Sequence, residues 1–307
     1  MSIRRLIRLV VFLAICGQVT ASENDVRLAQ LRVYAEVVGT IRFTEKVADY
    51  ISKKCQVSFS VPPIVINSVD YQLRRKLDYS YVEFINFLDV DTQSDGEAED
   101  VANMLIEQVT ACKPAELNKW YTTTIAPVVN VHVEKLSGLG FVFGLGRINR
   151  SDNDIKTHFQ NKLNRLRDLS NEEIRSLANA LESGVYSYTN SSHAQVNKDV
   201  EHAITLRQYL VEQTDSADFV YQLAGTMARV DKSKALEYYK TAAEKGYAKA
   251  QIWLGTYFAC NNKKIDALFW LNKVNTDDSE ESQMVDLIQL EMQDLGKPAN
   301  CYKDWVY

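Results

Sequence analysis

Apolar residues recur at intervals of three and four along most of this chain. Leu28, Leu31, Tyr34, Val38, Ile41, Val47, Tyr50 and Ile51 fall on one side of a 3.6-residue period with no proline among them. The spacing predicts a helix over 26–54, continuous or broken near Gly39. Pro62-Pro63 punctuates the chain, and amphipathic stretches follow over 69–88 and 97–112, the second opened by an acidic loop from Asp89 to Asp95 and by Gly96. The period then fades through Thr122-Thr123-Thr124, Val128, Val129, Val131 and Val133. Here we expect a helix carrying Val129, His132, Val133 and Leu136, then a loop through the glycine tract 138–146. Helical spacing resumes over 152–167, with Asp152 or Asp154 placed to cap it, and over 171–182, where Ser170 and Glu173 have capping-box spacing. The Ser-, Tyr- and Asn-rich stretch 183–197 reads as a linker. After it come helices over 199–213, 216–229, 232–245, 247–260, 263–274 and 278–295, with joints short enough for antiparallel hairpins. The expected fold is all-α: a helical domain over 22–182, the linker, and an array of helical hairpins, an α/α solenoid with its own cap, over 198–307.

The first residues predict export. Arg4, Arg5 and Arg8 precede an apolar run over 9–16 and a small-residue site at Val19-Thr20-Ala21, the pattern of a signal peptide over 1–21. The run is far short of the ~20 residues that span a bilayer, and no later stretch reaches that length, so no transmembrane segment is expected once the leader is removed. Cys16 is placed for lipid attachment, but Ile15 before it is bulkier than such processing wants. Arg4-Arg5 lacks the rest of a twin-arginine pattern. The expected location is the periplasm or outside the cell.

Composition narrows the function. The formal net charge is -5, and the leader carries three of the arginines and no acids, which leaves no basic footprint for nucleic acid. Apolar residues make up 46% of the chain and aromatic ones 10%, enough for packed cores. Outside the leader stand Cys55, Cys112, Cys260 and Cys301, an even set suited to an oxidising compartment. Three pairings are open. Spacing favours Cys55 with Cys112 and Cys260 with Cys301, and so does parity, because an up-down-up run of helices brings 55 and 112 to one side.

The chain also repeats itself. Ala235-Leu236-Glu237-Tyr238-Tyr239 recurs 32 residues later as Ala267-Leu268-Phe269-Trp270-Leu271, and Leu223-Ala224 recurs 31 residues later as Leu254-Gly255. Small residues at 224, 242, 243, 246 and 255 let helices approach closely, while Leu236, Tyr239, Leu254 and Leu268 fill the seam. The stretch Ala242-Ala243-Glu244-Lys245-Gly246-Tyr247-Ala248-Lys249-Ala250-Gln251-Ile252-Trp253-Leu254-Gly255 resembles the Sel-one-like repeat, a short relative of the tetratricopeptide repeat, and the resemblance covers about 210–275. Two departures stand out: Ala259-Cys260-Asn261-Asn262 replaces a glycine-containing loop, and Lys273-Val274 replaces the second Ala-Ala. The resemblance implies a scaffold or adaptor that binds a protein partner rather than an enzyme, with Tyr238, Tyr247, Trp253 and Tyr257 as the candidate binding residues. The runner-up is a structural part of an envelope machine such as a motor or secretion apparatus, and an enzyme sited in the first domain comes after it.

Catalytic and metal signatures are missing at the sequence level. His132, His158, His193 and His202 are scattered without metal-ligand spacing. The acids from Asp89 to Glu99 miss the closing glutamate of a calcium loop and read as a solvated loop. The glycine tract lacks the Lys-Ser/Thr of a phosphate loop. No cofactor or metal is expected.

Overall fold

The computed structural model describes residues 23–88, 95–140, 148, 150–294, 296, 298 and 301. The leader, all of the acidic loop but Asp95, and most of the glycine tract lie outside the described residues. The described chain is all-α apart from one small hairpin. It divides into two compact units, one of residues 1–173 with 187–195 and one of residues 174–186 with 196–307.

In the first unit, α1 (Glu23–Cys55) runs unbroken through Gly39. Its stripe Tyr34, Val37, Val38 and Ile41 buries against Val69, Leu73 and Leu77 of α2 (Pro63–Leu77), Phe84 and Ile85 of α3 (Tyr81–Leu88) and Leu136 further on. Two turns later Val47, Ala48 and Ile51 bury against Ala98, Ala102 and Leu105 of α4 (Asp95–Leu105) and Leu117 of α5 (Pro114–Trp120). Thr40 and Thr44 occupy the stripe between the two cores, and each hydroxyl donates to the carbonyl four residues back at 2.8 Å. Those bonds satisfy the buried hydroxyls without partners from other helices. Cys55 at the end of α1 is bridged to Cys112, with Cα atoms 5.2 Å apart, which fastens α1 to the segment leaving α4 and stabilises by about 2–4 kcal/mol against the unfolded chain.

The stretch expected as one helix over 69–88 is two. Pro63 opens α2 early, as a proline at the first helical position does. Asp78 ends it in the left-handed region at φ 62°. Ser80 and Glu83 then form a capping box that starts α3: the Ser80 N–H donates to Glu83 Oε2 at 2.6 Å, and the Glu83 N–H donates to Ser80 Oγ at 3.2 Å. The threonine run Tyr121–Ile125 is a π-turn that continues α5 into α6 (Ala126–Gly138). The cap of α7 (Asp152–Leu163) is Ser151, not an aspartate; its Oγ accepts from the Asp154 N–H at 3.2 Å.

The second unit begins within α8 (Asn171–Ser183), ahead of the boundary expected at 182. The reason is Arg207, 4% exposed, whose Nη2 donates to Glu182 Oε2 and Asn179 Oδ1, each at 2.8 Å. The stretch expected as a linker holds two short strands, β1 (Val185–Ser187) and β2 (His193–Gln195). Helices α9 (Val200–Thr214), α10 (Ala217–Met227), α11 (Lys232–Glu244), α12 (Ala248–Cys260), α13 (Lys264–Leu271) and α14 (Ser279–Asp294) follow, consecutive ones from α9 to α14 packing together. Ala224, Ala242, Ala243, Ala250 and Ala267 sit at their contacts, each 0–1% exposed. Helix α11 ends in a Schellman motif: Tyr247 N–H donates to Ala242 O at 3.1 Å and Gly246 N–H to Ala243 O at 3.0 Å, with Gly246 at φ +86°. Helix α12 ends the same way without a glycine. Lys263 N–H donates to Phe258 O at 2.8 Å, Asn262 N–H donates to Ala259 O at 3.1 Å, and Asn262 holds φ 59°, a conformation asparagine tolerates. Cys260 is bridged to Cys301, with Cα atoms 5.4 Å apart.

Candidate functional site

Two constellations stand out, one in each unit. In the second, residues 232, 235, 236 and 239 form one face of α11, and residues 253 and 257 form one face of α12. Between them lies a cleft of about 120 Å³ walled by Tyr239, Trp253, Tyr257 and Leu236, with Lys232 and Ser233 among the residues lining it. The rings form a ladder. Tyr239 and Trp253 stack at 3.7 Å between centroids with planes 14° apart, and Trp253 and Tyr257 stack at 5.4 Å and 8°. Tyr239 is 6% exposed and belongs to the core, whereas Trp253 and Tyr257 are half-buried. Ring contacts continue from Tyr239 to the half-buried Tyr221 at 5.5 Å and on to Tyr247 at 5.2 Å.

The four residues singled out in the sequence therefore fare differently. Trp253 and Tyr257 line the cleft together. Tyr247 is half-buried behind them, and its hydroxyl donates to Asp218 Oδ1 at 2.8 Å. Burial first, and then that bond to a carboxylate, push its ionisation far above the usual tyrosine range. Tyr238 is half-buried against the core of the unit and is not among the residues lining the cleft. Lys232, Ser233 and Leu236 are the additions. Lys232 and Leu236 stand at four- and three-residue steps leading to Tyr239 along α11, the period that also relates Trp253 and Tyr257 on α12, whereas Ser233 falls off that period and had no sequence signal.

The first unit holds a buried charged network that sequence spacing did not reveal. Arg74, 1% exposed, donates from Nε to Asp70 Oδ2 at 2.9 Å and from Nη1 to Tyr188 O at 2.6 Å. Its guanidinium lies 4.8 Å from the Tyr188 ring centre, that of Arg150 lies 5.1 Å away, and His158 meets the same ring edge-on at 4.8 Å. Arg150 is paired with Glu83 at 2.8 Å, and Lys162 donates to Glu173 Oε1 at 2.9 Å and to Asn67 Oδ1 at 2.7 Å. Burial works to raise the Asp70 carboxyl, but Arg74, the Tyr81 N–H, Lys162 and His158 outweigh it, so this acid titrates below its ordinary range. Burial, and after it the positive charge of Arg74, pull His158 down to about 3 and keep it neutral. Each of these acids faces a base at contact distance. The arrangement clamps the 188–192 turn onto α2, and holding charges in fixed pairs is what it can do chemically. Among the described residues, no group of three or more His, Cys, Asp or Glu side chains is placed to hold a metal ion.

Comparison with known proteins adds no identity, since no family model, curated protein or solved structure matches the chain.

Proposed function

We propose that this chain is an exported binding scaffold that captures a segment of a partner protein in the aromatic cleft of its second unit. The carrying observation is the ladder of Tyr239, Trp253 and Tyr257, which presents two half-buried rings beside a lysine and a serine. Rigid aromatic rings contribute large contact area at little entropic cost, and a polar pair at the rim supplies direction. The cleft volume of about 120 Å³ suits one anchoring side chain rather than a small-molecule substrate. The Sel-one-like pattern of small residues supports the same reading, because it is a means of building a helical surface. Export is supported by the leader pattern and by the two disulfides. The periplasm and the cell exterior both fit a scaffold of this kind.

A displayed library of random peptides tests the reading. Selection on the full oxidised protein should enrich a family sharing one apolar anchor next to an acid, and Tyr257→Ala should weaken its binding by tenfold or more while helical circular dichroism is kept. Enrichment of nothing, or of peptides that bind Tyr257→Ala equally well, would overturn it.

A further inference from the structure

Helix α14 carries two apolar stripes where a surface helix needs one. The first, Val285, Ile288 and Met292, packs on the core of the second unit. The second, Met284, Leu287 and Leu290, is 51%, 51% and 54% exposed. These three stand at three-residue steps, and each step turns the helix by ~60°, so together they cover an arc of ~120° on the solvent side. Glu280, four residues before Met284, and Asp294, four residues after Leu290, fall within the same arc, one at each end, and the exposed Asp286 borders it. The helix holds no lysine, arginine or histidine.

The surface is thus an apolar strip with an acid at either end, and that chemistry selects its occupant. A second copy docking α14 on α14 brings like charges together in both orientations: first turn on first turn sets Glu280 against Glu280, and first turn on last sets it against Asp294. The strip is also small. A helix of 16 residues is ~24 Å long and presents a face ~10 Å wide, on the order of 240 Å², against the ~800 Å² that each partner buries in a stable dimer. An anionic membrane surface is repelled by the same acids.

We propose that this face of α14 docks a basic amphipathic helix of a partner protein. The partner's apolar residues, at three- and four-residue spacing, lie along Met284, Leu287 and Leu290, and lysines or arginines at its two ends meet Glu280 and Asp294. No residue of α14 lines the aromatic cleft, so this docking site stands or falls without the cleft. The small area makes the contact transient, and the acids steer the encounter, so affinity falls as salt rises.

The probe is a synthetic peptide of about 18 leucines and lysines with leucine at helical spacing, and a scrambled peptide of the same composition, which has no apolar stripe, is its control. Each is titrated into the full oxidised protein carrying isotope-labelled methionine methyl groups and followed by NMR. Met284 reports the face, and the buried Met227 of α10 reports the core. The expected result is a saturable shift of the Met284 methyl with Met227 unmoved, and binding at least tenfold weaker for the scrambled peptide. Leu287→Ser should weaken the binding tenfold or more. The pair Glu280→Gln and Asp294→Gln should weaken it several-fold and flatten its salt dependence, while Ile265→Ser, at an 85% exposed position of α13, should leave it as it is. Equal binding of the two peptides overturns the proposal, as does binding that leaves Met284 unmoved or survives Leu287→Ser. So does a Met284 shift that grows with protein concentration alone and accompanies a dimer in sedimentation, which would make a second copy the occupant.

Discussion

At the scale of single residues, the second unit depends on what is missing from its side chains. Gly255 of α12 faces α13 so closely that an added Cβ would lie 2.5 Å from Leu271 Cγ and 3.4 Å from the Ala267 carbonyl oxygen. The Cγ is the branch point of its side chain and cannot swing aside cheaply, so Gly255→Ala forces the two helices apart. Overpacking of this kind costs about 1–3 kcal/mol. Gly225 of α10 is the matched opposite: it is exposed, and a Cβ there would meet only the Tyr239 hydroxyl at an ordinary 3.6 Å. Gly225→Ala removes backbone freedom from the unfolded chain and should stabilise by about 0.5–1 kcal/mol. Urea unfolding of the two variants should move the midpoint in opposite directions, and a shared direction would refute this account of the helix contacts. This requirement for small residues was legible in the sequence, because steric need shows directly as residue type. Asn262 was not recognised as a left-handed terminator, because its asparagine performs there the task that Gly246 performs one helix earlier.

At the scale of elements, helices showed in the sequence wherever their apolar period was long, as in α1 and in α9 to α12, and failed to show where a tertiary contact decides the ending. The break between α2 and α3 is one such case. Asp78 adopts its left-handed conformation where Arg150 Nη2 donates to its carbonyl at 2.6 Å and the Ser191 N–H donates to its side chain at 3.1 Å, contacts from residues far along the chain. The hairpin of β1 and β2 is another, since three-residue strands carry too short an alternation to be read. Of the candidate cleft, the half on α12 was legible as aromatic spacing. The half on α11 was not, because Lys232 and Ser233 look like any solvated helix start. The end of α6 depends on a similar long-range contact. Lys76, from the last turn of α2, donates to the carbonyl oxygens of Leu136, Ser137 and Leu139, each at 2.7 Å. One ammonium thus gathers three carbonyl oxygens at this end, one of them, Leu136 O, shared with the Leu139 N–H at 3.2 Å, and sits at the negative end of the helix dipole. Lys76→Met keeps much of the stem and removes the donors. It should destabilise by about 1–3 kcal/mol and raise amide exchange in the last turn of α6, and unchanged exchange there would show that water caps the helix equally well.

At the scale of the molecule, the buried network of the first unit ties its stability to acidity. His158 is held neutral with a folded pKa of about 3 against an ordinary 6.5. Between those values the unfolded chain binds its proton and the folded chain does not, so stability is fully present above pH 6.5 and is lost as pH falls toward 3. Asp70 and Glu83 are both held below their ordinary values, in spite of burial, by Arg74 and by Arg150 and Ser80 respectively. Their contributions are present above pH ~4 and disappear below it, so they act with the same sign as His158. Glu45 acts the other way: burial raises its carboxyl although Tyr81 donates to it at 2.7 Å. Three groups therefore oppose one, and the net slope is a loss of stability on acidification, at most about 1.4 kcal/mol per pH unit for each proton taken up. The expected signature is local to this unit. Amide exchange in peptides from α2, corrected for the intrinsic rate, should lose protection between pH 6.5 and 4, and His158→Gln should flatten that loss because the side chain no longer titrates. Peptides from α11 and α12, which contain none of these groups, set the reference for changes common to the whole chain. If α2 and α12 lose protection in parallel in the wild type and in His158→Gln alike, the acid sensitivity does not come from the Arg74 cluster, and the two guanidiniums around Tyr188 serve packing alone.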